Sequence, residues 1–203
     1  MAEFREPPRW KPGDLVTSAN LNIYSDNDLY FKEKLDTLGV GVFSKVKEVA
    51  LTEGSDVIDV TDIHLKENKI YYCFLIGGLG LTGESSIRIY FNGDYDYGFY
   101  HTSYFLFKDY TFTANYEVGP FLSKGQYSEI LFIPFKIVID RALGLWPYVI
   151  IERHHTGPYY YPWFYEGLIW YARSTEIFSM RIEVSAGYFL PNTKLTIWES
   201  AFI

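Results

Sequence analysis

Three oxygen-bearing side chains at alternate positions form the first group that could do chemistry, namely calcium binding. Asn92, Asp94 and Asp96 repeat the ligand spacing of the first half of an EF-hand loop. Tyr97 replaces the glycine that should follow the third ligand, and Ser103 stands where the bidentate glutamate should be, which excludes an EF-hand. A non-standard calcium site stays open, but the pattern favours an Asn-Gly hairpin turn with Asx hydrogen bonds.

Two adjacent histidines are the second candidate for metal binding. His154 and His155 follow an apolar strand pattern. Neighbouring residues of a strand point to opposite faces, so the pair cannot hold one metal ion. We therefore predict no metal site and no cofactor.

Carboxylates are frequent, but no catalytic motif accompanies them. The chain has no G-x-S-x-G elbow, P-loop, H-E-x-x-H or Cys-x-x-Cys pattern. A glycosidase needs two carboxyl groups roughly 5 to 9.5 Å apart in a cleft, and a sequence supplies no distances. We expect no enzyme, with a glycoside hydrolase kept as a third hypothesis. The carboxylates of the β region are Asp94, Asp96, Glu117, Glu129, Asp140, Glu152 and Glu166.

An aromatic run after Gly157-Pro158 is the most unusual stretch of the chain. Because a Gly-Pro pair favours a turn, we expect this run to project as a loop. Aromatic rings stack on sugar faces and also anchor protein interfaces, so packing within the protein, contact with another protein and sugar binding all stay open. The residues predicted to contact a ligand or a partner are Tyr159, Tyr160, Tyr161, Trp163 and Tyr165.

Composition and charge limit the partners of the chain. The formal net charge of -7 offers no concentrated basic surface for phosphates, so we expect no nucleic acid. No stretch reaches the roughly 18 apolar residues of a membrane helix, and residues 1–12 lack the apolar centre of a signal peptide. We therefore expect no membrane insertion and no cleaved leader.

A period of two runs through the chain from about residue 45 and predicts strands. The single cysteine, Cys73, lies in one of them and is expected to pack in the core. About ten strands without interleaved helices predict an all-β fold, most simply a two-sheet jelly-roll-like sandwich. The predicted strands are 46–51, 56–61, 69–76, 86–92, 97–107, 127–139, 147–154, 164–172, 177–186 and 193–199, and the turn signals between them include Glu53-Gly54-Ser55, Asn92-Gly93-Asp94, Ser123-Lys124-Gly125 and Pro191-Asn192.

Two strands differ in their patterns. Met180, Ile182 and Val184 alternate with polar residues, which indicates one buried and one solvated face. Segment 130–139 is apolar on both sides, so its outer face should meet another element or another subunit. Pro134 lies within this segment and, lacking an N–H, argues for a bulge or an edge position.

The first part of the chain has a different character. Pro7, Pro8 and Pro12 favour an extended arm, and residues 14–35 carry capping and helical signals that end at Gly39 or Gly41. We predict an N-terminal docking arm with a short α-helix at residues 1–44 and a β-sandwich domain at residues 45–203.

Motifs at both ends and in the middle of the chain resemble those of tailed-bacteriophage virion structural proteins. Residues 10–22, WKPGDLVTSANLN, resemble an opening segment of the form W-x-x-G-D-x-[IV]-T-A-x-x-[LM]-N. Residues 88–97, RIYFNGDYDY, resemble a strand end with F-N-G-D, and residues 185–198 resemble a closing S-x-G-x-F and L-x-[IL]-[WY] pattern. The docking residues that the resemblance implies are Trp10, Pro12, Asp14, Leu15, Leu21 and Asn22.

The resemblance implies a structural component of the virion, such as a tail-tip, fibre or head-decoration subunit made in the host cytoplasm. Its implied partners are other virion proteins and further copies of itself, in a trimer or a ring. The alternative from another functional class is a carbohydrate-binding module that reads a host surface glycan with the aromatic loop 159–165.

Overall fold

The computed structural model describes residues 43–126, 129–139, 146–157, 164–174 and 176–200, without the side chain of residue 153. These residues form thirteen strands and one 3₁₀ turn, arranged as two antiparallel sheets that pack together. The predicted all-β class is therefore confirmed. Among the described residues, no helix is both long and apolar enough to span a membrane.

The strands range in length from three to thirteen residues. The 3₁₀ turn, Tyr97–Phe99, precedes the fifth strand. The strands are β1 (Ser44–Ala50), β2 (Val57–Val60), β3 (Lys69–Leu81), β4 (Ser85–Phe91), β5 (Tyr100–Lys108), β6 (Thr111–Val118), β7 (Phe121–Gln126), β8 (Ile130–Ile139), β9 (Tyr148–His155), β10 (Phe164–Tyr171), β11 (Met180–Val184), β12 (Gly187–Phe189) and β13 (Lys194–Ser200).

The two sheets differ in width. The larger sheet has the order β1-β13-β3-β8-β9-β10-β5-β6, with β12 paired to the far end of β3. The smaller sheet has the order β2-β11-β4-β7. Two hairpins, β5–β6 and β9–β10, supply four strands of the larger sheet.

The core lies between the facing sides of the sheets. Tyr71, Cys73 and Leu75 of β3 are fully buried, and so is Ile182 of β11, whereas its neighbours Arg181 and Glu183 are only partly buried. Because successive strand residues point to opposite faces, this alternation determines which residues meet across the core. The predicted core positions of Cys73, Met180, Ile182 and Val184 are confirmed.

Each predicted strand coincides with an observed one, but β6, β7 and β12 were not predicted. The predicted turn at Ser123-Lys124-Gly125 is wrong, because these residues lie inside β7. Gly125 has a φ of 68° and the pairing of β7 with β4 shifts along this stretch. A bulged strand therefore carries the Gly-containing pattern that is typical of a turn.

The Asn92-Gly93 turn forms, but it does not close a hairpin. Both residues have positive φ, and the N–H of Asp94 donates to the carbonyl of Phe91 at 2.9 Å. The chain then crosses from β4 in the smaller sheet to β5 in the larger sheet. The hairpin prediction was wrong because local turn chemistry does not specify the strand to which the next one pairs.

Pro134 lies at a position where β8 pairs with β3 only, so it has the predicted edge position locally, but β8 has no bulge there. The pairing of β8 with β3 continues through Pro134 without a shift. On the other side, the pairing of β8 with β9 spans only Phe135 to Val138. The ladder with β9 therefore ends before the proline, which removes the need for its missing N–H.

The predicted arm and helix within residues 1–42 lie outside the described residues. The jelly-roll arrangement and the docking role of the N-terminal segment stay predictions.

Candidate functional site

The outer face of the larger sheet, which points away from the smaller sheet, is apolar along much of its width. In β8, Leu131 and Ile133 are buried in the core, whereas Ile130 and Phe132 on the outer side are 68% and 51% exposed. Strand residues on a solvated face are ordinarily polar. Segment 130–139 thus places apolar side chains on both sides of the sheet, and the contact of its outer face with another element or subunit stays a prediction.

Four aromatic side chains cover the outer face near β1, β13 and β3, and we call them the β3 patch: Phe43, Tyr72, Phe74 and Trp198. The rings of Phe43 and Tyr72 meet edge-on, with centroids 5.0 Å apart. Trp198 lies directly opposite Tyr72 in the ladder between β13 and β3. These rings line a shallow apolar depression on the surface, a geometry that suits an apolar or aromatic partner.

A second aromatic group lies on the outer face of β5, β6 and β10, and we call it the β5 patch: Phe105, Phe107, Phe112 and Phe164. Phe107 contacts Phe112 with centroids 4.8 Å apart and Phe164 at 6.4 Å. Phe105 is 52% exposed and Phe112 is 65% exposed. Phe164 belongs to the predicted aromatic loop 159–165 but begins β10, so the described end of that segment contributes to this patch.

An open groove next to the β5 patch brings two carboxylates together. Glu152 of β9 and Glu166 of β10 line it with Phe105 and Ser103 of β5. Gly167 forms part of its floor, where a Cβ would lie 2.9 Å from the carbonyl oxygen of Ser103. The ring could stack on the face of a sugar, and the serine hydroxyl and the carboxylates could form hydrogen bonds with its hydroxyl groups.

Several of the described carboxylates form ion pairs or hydrogen bonds within the protein. These contacts account for their presence without a catalytic role. Lys136 Nζ lies 2.6 Å from a carboxylate oxygen of Glu152. Glu117 pairs with Lys124 and accepts a hydrogen bond from a tyrosine hydroxyl, and these contacts hold its pKa below the ordinary value although burial opposes them. Asp140 lies outside the described residues, so its role as a candidate acid stays open.

Tyr165 serves the core rather than an exposed surface. Its side chain is 0% exposed, its ring stacks on Tyr104 at 5.1 Å, and its hydroxyl donates to the carbonyl of Phe121 at 2.9 Å. A ring in this position offers no face to a sugar or to another protein. Tyr159, Tyr160, Tyr161 and Trp163 lie outside the described residues, and their proposed contact role stays a prediction.

The residues of the possible calcium loop have other partners. Asp94 accepts hydrogen bonds from Tyr171 at 2.5 Å and pairs with Arg173 at 2.8 Å. Asp96 accepts from a backbone N–H of the 3₁₀ turn, and the amide of Asn92 bonds to the segment before β11. Among the described residues, no group of three or more metal-ligating side chains could hold a metal ion.

The two histidines separate as their alternation predicts. His154 is buried between the sheets, whereas His155 is half-buried and packs edge-on against Phe164 at 5.8 Å. His154 Nε2 lies 3.0 Å from the hydroxyl of Ser123 in β7. This contact links the two sheets, and sequence reasoning missed it because its residues lie far apart and Ser123 was assigned to a turn.

A serine next to a histidine also occurs in nucleophilic catalysis, but this pair is poorly suited to it. Ser123 is fully buried, and His154 Nδ1 faces the backbone carbonyl of Glu152 at 3.4 Å rather than a carboxylate. Burial lowers the pKa of His154 to about 4, so the imidazole is a weak base at neutral pH. The arrangement fits a neutral hydrogen-bonding partner inside the core.

The tyrosine excess is used partly inside the protein. Tyr71, Tyr100 and Tyr171 are fully buried or nearly so, and each hydroxyl has a hydrogen-bond partner. Burial is the main cause that raises the pKa of all three phenols, that of Tyr71 to about 12. A buried tyrosine with a satisfied hydroxyl stabilises a core as an apolar ring does.

Comparison of the chain with protein-family models, curated proteins and solved structures yields no match. The resemblance of residues 10–22, 88–97 and 185–198 to tailed-phage virion proteins therefore stays a prediction.

Proposed function

We propose that this chain is a non-enzymatic structural subunit of a bacteriophage particle, at a tail tip, in a fibre or as a head decoration. In this proposal residues 1–44 dock onto the particle through the segment that contains Trp10 and Asp14. Residues 45–203 assemble with further copies and with other virion proteins. The observation that carries the proposal is the apolar outer face of the larger sheet.

A sheet that is apolar on both sides needs a covering layer on each side. The smaller sheet covers one side, while Phe43, Ile130 and Phe132 remain about half exposed or more on the other. Lys136 and Lys45 place their ammonium groups 5.3 and 5.8 Å from the rings of Tyr72 and Trp198, so charged groups border this surface. An apolar centre with a charged rim is typical of a protein interface.

We further infer that the sandwich is a jelly roll. Its support is the strand order of the two sheets, which includes β1-β13-β3-β8 in the larger one and is β2-β11-β4-β7 in the smaller one. Neighbours in these sheets are mostly far apart in sequence, as two interlocked Greek keys require. The hairpins β5–β6 and β9–β10 are then additions to the larger sheet.

Deletion of residues 1–22 tests the docking part of the proposal. We expect a folded β domain that no longer joins particles when it replaces the full chain during phage assembly. Occupancy of the particle would be measured by quantitative mass spectrometry of purified virions. Normal occupancy of the truncated chain would overturn the docking role.

Substitution of two matched phenylalanines tests the assembly part. Phe132 on the outer face is 51% exposed, and Phe178, in the connection before β11, is 48% exposed. We expect Phe132→Glu to weaken self-association and particle incorporation, because a carboxylate would be buried at the interface, and Phe178→Glu to leave both unchanged. Equal effects of the two substitutions would contradict an interface on the outer face.

A carbohydrate-binding module is the second candidate function, and the groove of Glu152, Glu166 and Phe105 favours it. In this case Trp163→Ala, and less strongly Tyr160→Ala, should abolish adsorption to host cells or glycans while the fold survives. Phe105→Ala should reduce binding as well, with Phe178→Ala as the control. Unchanged glycan binding in all variants would leave the aromatic residues as packing and interface groups.

A further inference from the structure

The edge strand β6 is the most exposed element of the described chain. Seven of its eight residues are exposed, including Phe112, Tyr116 and Val118 on the outer side of the sheet. It pairs with β5 along its whole length without a register shift. Its second edge faces no other strand formed by the described residues.

One hydrogen bond determines which N–H and C=O groups of β6 point to β5 and which point to the open edge. The N–H of Gly119 donates to the carbonyl of Tyr100 at 2.8 Å, in register with the ladder between β6 and β5. In an antiparallel ladder, residues alternate between bonding to one neighbour and bonding to the other. Thr111, Thr113, Asn115 and Glu117 therefore bond to β5, whereas Phe112, Ala114, Tyr116 and Val118 direct their N–H and C=O groups to the open edge.

The other sheet edges carry features that prevent pairing, and β6 does not. β1 has three charged residues and a bulge between Lys45 and Lys47. In the smaller sheet, β2 is only four residues long, and β7 is irregular in its pairing. Short length, charges and bulges are the usual protection of edge strands. The only charged residue of β6, Glu117, is held by Lys124 and by the hydroxyl of Tyr104.

We propose that β6 is an assembly edge that pairs antiparallel with β6 of a second copy of this chain, around a two-fold axis at Asn115. The four residues with outward backbone groups, 112, 114, 116 and 118, are placed symmetrically about position 115. This is the only register in which all four bond to one another, and it forms two backbone hydrogen bonds at each of four residue pairs.

The side chains complement one another in this register. On the outer side, Phe112 lies opposite Val118 of the partner subunit, and Tyr116 lies opposite Ala114 of the partner subunit. On the inner side, Thr113 lies opposite Glu117 of the partner subunit, and the two Asn115 side chains meet at the axis. Aromatic residues pair favourably with β-branched ones across strands, and no like charges face each other.

This self-complementarity favours a second copy over a strand from another protein. A two-fold contact uses the same patch on both subunits, so a patch must match its own reverse, as β6 does. A foreign strand would need only pockets for alternate side chains. The pairing would extend the outer face and the β5 patch across two chains, and it holds whether or not the chain belongs to a phage.

Cysteine cross-linking of the full chain tests the register directly. In the proposed pairing the two copies of residue 115 lie opposite each other as a non-hydrogen-bonded pair, with Cα atoms about 4.5 Å apart. This distance is within the range of a disulfide. Mild oxidation of Asn115→Cys should therefore yield a covalent dimer on a non-reducing gel. The native Cys73 is buried and should not interfere.

Thr113→Cys is the matched control. It lies on the same strand and the same side and is also exposed, but it faces residue 117 of the second copy and should stay monomeric on the gel. Cross-linking by Asn115→Cys alone supports the proposal. Equal cross-linking by both variants, or cross-linking by neither, would overturn it. A covalent dimer of Ala114→Cys alone would overturn the register.

Discussion

The two edges of the larger sheet differ in their protection against pairing with a further strand. β1 carries Lys45, Lys47 and Glu48 with a bulge, whereas β6 is regular and nearly uncharged. Both strands are similar in length and pair with one neighbour each. The difference indicates that an edge strand of this fold can be blocked, and that β6 has been left open.

The two aromatic patches of the outer face differ in the kind of sheet edge that lies next to them. The β3 patch lies beside the protected edge, and the β5 patch lies beside the open one. A partner at the β5 patch can therefore use backbone hydrogen bonds as well as aromatic contacts. A partner at the β3 patch can use side-chain contacts only.

The largest expected effect is a pH dependence of the free energy of unfolding that arises from buried His154. The pKa of His154 falls from an ordinary value of 6.5 to about 4 on folding, because the core disfavours its charged form. Between these pH values the unfolded chain binds a proton that the native chain does not, so stability decreases as pH falls from 6.5 to 4. The decrease should be on the order of 3 kcal/mol and level off below pH 4.

Urea unfolding across pH 4 to 7 measures this dependence in the native protein and in His154→Gln. The substitution should flatten this part of the curve, whereas His155→Gln should keep most of it, because burial and not the neighbouring imidazole is the main cause of the lowered pKa of His154. If His154→Gln kept the full slope, another group would cause it.

Proline scanning of β6 should separate its two sets of backbone groups. Asn115→Pro removes an N–H that bonds to β5 and should lower stability by about 1–3 kcal/mol. Ala114→Pro removes an outward N–H and should leave the monomer nearly as stable while it abolishes pairing between copies. Thermal unfolding and light scattering measure the two effects, and the reverse assignment would contradict the strand orientation derived above.

A charged residue on β6, like those that protect the edge strand β1, should have a smaller effect on the free energy of self-association. Tyr116→Lys places an edge lysine on each copy and should weaken self-association about tenfold, equivalent to roughly 1.4 kcal/mol. Tyr110→Lys is the control, because this residue lies in the turn before β6 and is 84% exposed. Sedimentation equilibrium gives both dissociation constants, and equal losses would show a general effect of charge rather than an edge effect.

The smallest expected effect is on the free energy of unfolding, from removal of an ion pair on the edge strand β2 of the smaller sheet. Arg181 pairs with Asp59 of β2 through two contacts, at 2.5 and 2.7 Å, but both side chains are substantially exposed. Asp59→Asn should lower the free energy of unfolding by only about 0.5 kcal/mol and leave self-association unchanged. A clear change in oligomer size would indicate that this edge also takes part in assembly.

The fold class and most strands could be predicted from the sequence because alternation is a local signal. Met180, Ile182 and Val184 show their burial directly, and the two apolar sides of β8 are visible in the run 130–139. β6 was missed because its apolar residues are interleaved with threonine and asparagine, so that no core face is visible in TFTANYEV. β7 was missed because a bulge and a turn share the same residues.

The candidate sites depended on pairing between distant strands, which no local pattern contains. The groove of Glu152 and Glu166 requires β5, β9 and β10 side by side. Tyr165 was assigned to an exposed loop because it ends an aromatic run, but the alternation of β10 directs its ring into the core.

The most direct test of assembly through these surfaces is the mass of the full chain in solution, measured by multi-angle light scattering over a range of concentrations. We predict a closed oligomer with an even number of chains, because each β6 edge pairs with one other. A stable trimer would support the outer face alone and contradict β6 pairing. A monomer at all concentrations would contradict the account as a whole.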